Sequence, residues 1–176
     1  MTTDFSNSVI LPENLPAIGI AEFTPVDRRY LKIIYIQYLF LALILVFWGI
    51  FFYQIPKDEV LEVAFWVLAG LFVGILCFSL IISRLSFPRR GYLIREKDIA
   101  YQRGLIRYKL TSIPFNRIQH VELSQGVIAK RLGLASIKIY TAGGSSDDLS
   151  IPGLPIETAG QIREFLTGKI SADDRD

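Results

Sequence analysis

Two uncharged apolar runs, separated by a short polar segment, constrain this chain more than any other feature of its sequence. The first run, Ile33–Tyr53, has 21 residues, and the second run, Val63–Ile82, has 20. At a rise of about 1.5 Å per residue, each would form a helix roughly 30 Å long, the thickness of the hydrocarbon core of a bilayer. Helices buried in soluble proteins rarely lack charge over such a length. The sequence therefore predicts a transmembrane helical hairpin.

The charges around the two runs predict their orientation. Basic residues lie on the outer flank of each run: Arg28, Arg29 and Lys32 before the first, and Arg84, Arg89 and Arg90 after the second. The connecting segment Gln54–Glu62 has one basic residue, Lys57, beside three acidic ones. Because Lys and Arg are enriched in cytoplasmic flanks, we expect both termini in the cytoplasm. A cleaved signal peptide is the competing interpretation of the first run, but no small-x-small cleavage site follows it.

The composition of the runs bears on what they could do. Neither run contains Asp, Glu, Lys, Arg or His, whereas ion and proton pathways need ionisable groups inside the membrane. Two helices also enclose no pore unless the chain forms oligomers. An oligomeric transport or channel component therefore remains an alternative to a simple anchor. The single cysteine, Cys77, lies in the second run, so no internal disulfide can form.

The chain changes character after the second run, where short alternating segments are separated by turn residues. Alternation of apolar and polar residues predicts antiparallel strands with one buried face. The predicted strands are Tyr92–Arg95, Ile99–Arg103, Ile106–Ile113, Ile118–Leu123, Ser136–Thr141 and Leu149–Ile151. Ile156–Thr167 has apolar residues at helical spacing, and Gly168 suits the position that ends a helix. These elements predict a small barrel or sandwich closed by one C-terminal helix.

The same patterns divide the chain into four parts. We expect a cytoplasmic arm at 1–24, the hairpin at 25–86, the strand-rich domain at 87–170 and an acidic tail at 171–176. Thr24-Pro25-Val26-Asp27 has the residue types of a helix start, with Thr as the cap and Pro at the first helical position. The first helix is therefore predicted to begin near Pro25 and to continue into the membrane.

An ordered set of short motifs within the domain resembles a known family. Ser112–Gly126 contains Ile-Pro, Arg-Ile-Gln-His-Val and Gln-Gly, Ala129–Leu134 contains Arg-Leu-Gly-Leu, and Ile137–Gly144 ends in Thr-Ala-Gly-Gly. This set is similar to the pleckstrin-homology-like (PH-like) domain of bacterial YdbS-like membrane proteins, and the resemblance covers roughly residues 25–170. It implies an α+β membrane protein in which a two-helix transmembrane hairpin precedes a PH-like antiparallel barrel or sandwich capped by a C-terminal α-helix. It also implies a non-enzymatic, multi-pass protein of the bacterial plasma (inner) membrane, often found with a larger relative that carries several such domains.

The motif residues have mainly structural explanations. Proline fixes φ at a strand end, and glycines suit turns that need positive φ. The residues assigned to this structural set are Pro114, Ile118, Gln119, Gln125, Gly126, Leu132, Gly133, Thr141, Gly143 and Gly144.

Basic charge is concentrated next to the second run. Residues 84–110 contain eight Lys or Arg and two acids, although the formal net charge of the chain is only +2. The cytoplasmic leaflet is negative and attracts such residues. The candidates for contact with anionic lipid or a partner are Arg89, Arg90, Arg95, Lys97, Arg103 and Arg117. The competing interpretations are that these residues only set the topology or are simply solvated.

Reactive constellations are weak in this sequence. His120 is the single histidine and should face solvent, so no metal site or other cofactor is expected. Ser145, His120 and Asp147 could be written as a triad, but Ser145 lies in a Gly/Ser/Asp turn rather than a nucleophile elbow. The sequence thus favours a membrane-anchored interaction module at the cytoplasmic face, with a membrane-protein partner and anionic-lipid contact, and without nucleic-acid binding. A membrane enzyme is the weaker alternative.

Overall fold

The computed structural model of the protein describes residues 22–55, 58–143 and 148–173, with side chains described as far as residue 170. Four α-helices and seven β-strands lie in these ranges. The helices are α1 (Tyr30–Tyr53), α2 (Glu59–Ser86), α3 (Val127–Arg131) and α4 (Ile156–Asp173). The strands are β1 (Thr24–Pro25), β2 (Gly91–Ile94), β3 (Asp98–Arg103), β4 (Lys109–Pro114), β5 (Ile118–Ser124), β6 (Leu134–Thr141) and β7 (Leu149–Pro155).

Helices α1 and α2 contain the two predicted spans and pack side by side in opposite directions. Near their connection, the rings of Phe52 and Phe65 stack with centroids 3.9 Å apart. At the other end, the Tyr38 hydroxyl lies 2.6 Å from the Ser79 hydroxyl and 3.1 Å from that of Ser83. Both helices are long and apolar enough to cross a membrane, and most of their large apolar side chains are exposed. Such an apolar surface is typical of helices that face lipid.

The predicted start of the first helix is wrong. Thr24 and Pro25 form β1, which pairs with Tyr92 and Gly91 of β2, and α1 begins only at Tyr30. Backbone pairing with β2 therefore prevails over the local capping preference of the Thr-Pro sequence. Because of this pairing, the chain just before α1 forms an edge of the domain that follows α2.

The strand-rich domain has a PH-like α+β fold built from two antiparallel sheets. One sheet has the order β1-β2-β3-β4, the other has the order β5-β6-β7, and the two do not close into a barrel. Helix α4 packs on the second sheet. In β6, Ile137 and Ile139 are fully buried while Lys138 is exposed, which confirms the predicted alternation. The largest fully buried side chains of the core are Ile99, Leu134, Ile137, Ile139, Ile151, Leu154 and Leu166.

Several predicted boundaries shift, and β7 ends at Pro155 rather than Ile151. Strand β4 begins at Lys109 rather than Ile106, because the preceding residues form a turn led by Gly104, whose φ is +105°. A Cβ at Gly104 would overlap the carbonyl oxygen of Arg107, so this turn requires glycine. Helix α4 passes through Gly168 and reaches Asp173, inside the predicted acidic tail. Packing of α4 on the sheet outweighs the helix-ending preference of one glycine.

Helix α3 was not predicted, since its five residues fall where the sequence indicated only a turn. Gly126 lies at the N-cap of α3 with φ −72°, so the predicted positive φ is wrong there. Gly133, directly after α3, has φ +66° and confirms the prediction for that position. Most of the predicted arm, and Gly144 of the motif set, lie outside the described residues.

Candidate functional site

The first turns of α1 belong to the core of the domain. Ile33 and Ile34 are buried, although they begin the apolar run that was predicted to cross the membrane. Val26 and Ile34 share one hydrophobic cluster with Phe87, Ile99 and core residues of both sheets. The two long helices and the PH-like domain are therefore joined by packed side chains and not only by the covalent chain.

Polar contacts strengthen this junction. The Asp27 amide donates to the Gly153 carbonyl at 2.9 Å, and the Arg29 guanidinium donates to the Leu132 carbonyl at 3.0 Å. Arg29 also forms an ion pair with Asp27 at 2.8 Å, and its hydrogen bond holds the pKa of the Asp27 carboxyl below its usual value. Gly153 has φ +73°, and a Cβ there would lie 2.7 Å from Tyr30 Cβ and Cγ. The start of α1 thus lies directly against the backbone of β7.

A basic groove of about 610 Å³ lies beside the C-terminal end of α2. We define the basic groove by the residues that line it: Ser86, Arg90, Arg103, Gly104, Arg107, Tyr108, Lys109 and Leu110. Four of these residues are Arg or Lys, and no carboxylate is among the described lining residues. Strand β2 begins just after α2, while β3 ends and β4 begins at the turn led by Gly104. This strand order brings the four cations together beside α2.

The cations of the basic groove form no ion pair among the described residues, although Asp148 lines a small adjoining pocket with Arg103 and Lys109. The ion pairs found in the described part of the chain are Asp27–Arg29 and Arg95–Asp98, and neither includes a groove residue. The Arg90 guanidinium lies over the Tyr30 ring, with 6.0 Å between Cζ and the ring centroid. Its Nε is buried and has no hydrogen-bond partner among the described residues. A buried donor of this kind favours an acceptor that the described residues do not supply.

The structure groups only some of the predicted contact residues. Arg90 and Arg103 lie together in the basic groove, and Arg89 is exposed next to them in the 3₁₀ turn that follows α2. Arg95 and Lys97 lie at the opposite end of β3, in the turn after β2. There Arg95 forms an ion pair with Asp98 and holds the pKa of that carboxyl below its usual value.

Arg117 lies beyond the far end of β4, and Lys109 lies at the near end. Arg117 lines a second groove, of about 710 Å³, with residues of β4 and Gly143. Sequence reasoning did not select Arg107 and Lys109, because residues 106–113 were predicted to be one strand. The available signal was Gly104 followed by two cations that flank a tyrosine, a pattern that suits a basic hairpin turn.

Several family-motif residues stabilise the domain. The Gln125 side chain donates to the Leu134 carbonyl at 2.8 Å, and Leu132 supplies the carbonyl that binds Arg29. Thr141 is buried, and its amide donates to the Asp148 carboxylate at 3.2 Å. The other described members of the set lie at strand ends or in grooves: Pro114, Ile118, Gln119 and Gly143.

A third groove, of about 790 Å³, lies between β5 and α4. It is lined by Gln119, His120, Val121, Arg163, Glu164, Thr167, Gly168 and Ile170. His120 is exposed, as predicted, and its ring stacks on Tyr140 with centroids 5.9 Å apart. The Tyr140 hydroxyl donates to Glu122 at 2.8 Å, which raises the pKa of that hydroxyl. This mixed aromatic and charged surface suits contact with a protein.

The described residues offer little for metal chemistry. Among them, no group of three or more His, Cys, Asp or Glu is placed to hold a metal ion. Ser145 and Asp147, which completed the triad considered for His120, lie outside the described residues.

Comparisons with known proteins identify relatives of this chain. The bacterial PH domain family matches residues 16–170. The transmembrane protein YdbS of Bacillus subtilis (strain 168) is 31% identical over 104 residues, which are 58% of this chain and 64% of that protein. The aligned part of the chain thus spans less than two thirds of this relative's length. No solved structure matches the chain significantly.

Proposed function

The chain belongs to the bacterial PH domain family, and we propose that it is a membrane-anchored interaction module of the bacterial plasma membrane. In this proposal α1 and α2 cross the membrane, both termini are cytoplasmic, and the PH-like domain binds a membrane-protein partner. The partner is a protein of the same membrane, such as a larger protein with PH-like domains, and the basic groove contacts anionic lipid. The family is not a known family of enzymes, and the proposed role needs no catalytic group.

The packed junction between the helices and the domain carries this proposal. A protein that needed only a tether could join the two parts by a flexible linker. Here Ile34 lies in the domain core, and Asp27 is hydrogen-bonded to Gly153 of β7. The domain is therefore fixed to the helices in one orientation. A surface held in this way meets a partner in the same membrane at a raised effective concentration.

The groove between β5 and α4 is the proposed partner surface. Strand β5 is at the edge of its sheet, and α4 runs beside it. Edge strands and exposed aromatic or Arg side chains are frequent in protein interfaces. Phe165 of α4 is 43% exposed, and Arg163 lies in the groove wall. A segment of a partner lying along β5 would contact Arg163.

Affinity capture tests this proposal. The full chain, tagged at its C-terminus, is extracted in mild detergent from its native membrane, and co-purified proteins are quantified by mass spectrometry. We expect one membrane protein to be recovered reproducibly, and Arg163→Asp to lower its recovery at least about tenfold, as expected for a change in the core of an interface. Lys130→Asp makes the same charge change on exposed α3 and should leave recovery unchanged. A chain that is always recovered alone would contradict the proposal.

A variant of His120 separates this proposal from the enzyme alternative. The exposed His120 ring contacts Tyr140, so His120→Ala removes this ring contact and changes the shape of the groove. If the protein were an enzyme that used this histidine, His120→Ala would leave partner recovery normal. Under the proposal, partner recovery falls.

A further inference from the structure

The turn between β3 and β4 exposes an apolar tip surrounded by cations. Ile106 is 76% exposed and Tyr108 is 58% exposed. Arg103, Arg107 and Lys109 flank these two residues in sequence and line the basic groove. Because Gly104 permits a turn that other residues would not, the tip has a defined shape.

The strand order places this tip at the end of the domain nearest to α2. Strand β2 leaves the end of α2 at Gly91, and Gly91 pairs with Gln102 near the end of β3. The chain therefore returns along β3 to the level at which β2 began, and the following turn extends beyond that level. Ser86, the last residue of α2, lies in the same groove as Arg107. The turn is consequently next to the end of the helix.

The position of Ser86 gives the depth of the groove relative to a bilayer. Ser86 is four residues beyond Ile82, where the uncharged run ends. Four residues of α-helix correspond to about 6 Å. A bilayer of about 40–45 Å with a hydrocarbon core of about 30 Å has headgroup layers of roughly 5–8 Å on each side. With α2 across the membrane, Ser86 and the basic groove are thus at the depth of the lipid phosphates.

We propose that the basic groove binds the phosphate of an anionic phospholipid and that the β3–β4 turn places Ile106 among the headgroups. This inference rests on the transmembrane placement of α2 in the proposed function. Arg90 Nε is the buried donor without a partner, and the other three cations surround the groove. Charge complementarity selects an anion, and the apolar tip beside the helix end selects a lipid over a free phosphate. Arg95 and Lys97, at the far end of β3, take no part.

A fluorescent label at the tip tests the proposal on the full chain. In a Cys77→Ser background, Ile106→Cys is labelled with a polarity-sensitive dye, and the protein is placed in nanodiscs. One set of nanodiscs contains phosphatidylcholine alone, and the other contains equal parts of phosphatidylcholine and phosphatidylglycerol. We expect the dye to enter a more apolar environment in the anionic nanodiscs than in the neutral ones. Asn116→Cys, at the far end of β4, is the matched label control and should report water in both.

Charge variants identify the groove as the cause of this response. Each cation near an anionic surface favours binding about fivefold, so Arg103→Gln with Arg107→Gln should lower the preference for anionic nanodiscs about 25-fold. Lysine at both positions should retain the preference for anionic nanodiscs, and Arg163→Gln should not change this preference. Burial of the dye in neutral lipid to the same extent, or a preference that survives the double substitution, would overturn the proposal. Free inorganic phosphate that reproduced the response in neutral nanodiscs would also overturn it.

The same variants keep this inference distinct from the proposed function. Recovery of the partner by the variant with Arg103→Gln and Arg107→Gln reports on the β5–α4 groove. The dye response of the same variant reports on the basic groove. Loss of the dye response with normal partner recovery supports both assignments. A dye that stays in water in anionic nanodiscs refutes the lipid site whether or not a partner is found.

Discussion

Replacing Gly153 by alanine tests the junction between the long helices and the PH-like domain. Gly153 has φ +73°, and its carbonyl accepts the Asp27 amide. An added Cβ would lie 2.7 Å from Cβ and Cγ of Tyr30, at the start of α1. The substitution therefore pushes α1 away from β7 without changing charge or removing a buried side chain.

The expected loss of unfolding free energy in Gly153→Ala has two parts. A non-glycine residue in a left-handed conformation costs about 1–2 kcal/mol. Overpacking a close contact costs about 1–3 kcal/mol, here because Tyr30 has to move. Gly153→Ala should therefore lower the free energy of unfolding by about 2–5 kcal/mol. For a domain of this size, 1 kcal/mol corresponds to about 4–8 °C in the melting temperature, so a decrease of at least about 8 °C is expected.

The assay is thermal unfolding of the full chain in mild detergent, with Gly160→Ala as the matched control. Gly160 is in α4, and a Cβ there would meet no heavy atom of the described residues within 4 Å beyond the neighbouring backbone of its own helix. Alanine is about 1 kcal/mol better than glycine inside a helix, so this control should be unchanged or slightly more stable.

A double-mutant cycle identifies Tyr30 as the source of the overpacking cost. Tyr30→Ala removes the ring but retains Cβ, so Gly153→Ala should then cost less than in the wild type but more than the backbone part of about 1–2 kcal/mol. A Gly153→Ala protein that melts like Gly160→Ala would refute the close contact between Gly153 and Tyr30. Strictly additive effects of the Tyr30 and Gly153 substitutions would refute the role of the ring.

Two further predictions concern the helix pair and the far end of the domain. Tyr38→Phe removes the hydrogen bonds to the two serines of α2 and should cost about 0.5–1.5 kcal/mol, measured by the same thermal assay, whereas the exposed Tyr35→Phe should behave like wild type. The hydrogen bond from Arg95 lowers the pKa of Asp98, so the stabilisation is present above the ordinary carboxyl pKa and is lost as pH falls through the lowered one. Asp98→Asn should therefore be less stable than wild type at neutral pH. When both proteins are titrated with acid, this difference in stability should disappear below about pH 4. A difference in stability that persisted in acid would contradict the ion-pair explanation.

The helix pair and most strands could be predicted because their patterns are local. An uncharged run of bilayer length needs no tertiary information, and neither does the alternation that buries Ile137 and Ile139. The predicted element boundaries are wrong where a contact with a distant part of the chain determines the local structure. Thr24 and Pro25 have the local signal of a helix start, but they pair with β2, which lies more than sixty residues later in the chain.

Which cations form the basic groove also depends on how strands bring distant parts of the chain together. Six cations were selected because they lie close together in sequence after α2 or within a family motif. Strand reversals then separate Arg95 from Arg103 by the length of β3, about 17 Å for the five steps between its six residues at roughly 3.4 Å each. Arg107 and Lys109 join the groove because Gly104 makes a turn where a continuous strand was predicted. The packed junction could not be predicted, since it depends on Gly153 meeting Tyr30 from the other end of the chain.

Membrane topology tests the central claim that the helices hold the PH-like domain at the cytoplasmic face. A reporter is fused after Asp176 in two versions: green fluorescent protein, which is fluorescent in the cytoplasm, and alkaline phosphatase, which is active outside it. The same reporters inserted between Gln54 and Asp58 provide the opposite-side control. The account predicts fluorescence without phosphatase activity at the C-terminus and phosphatase activity in the connecting segment. Phosphatase activity after Asp176 would contradict it.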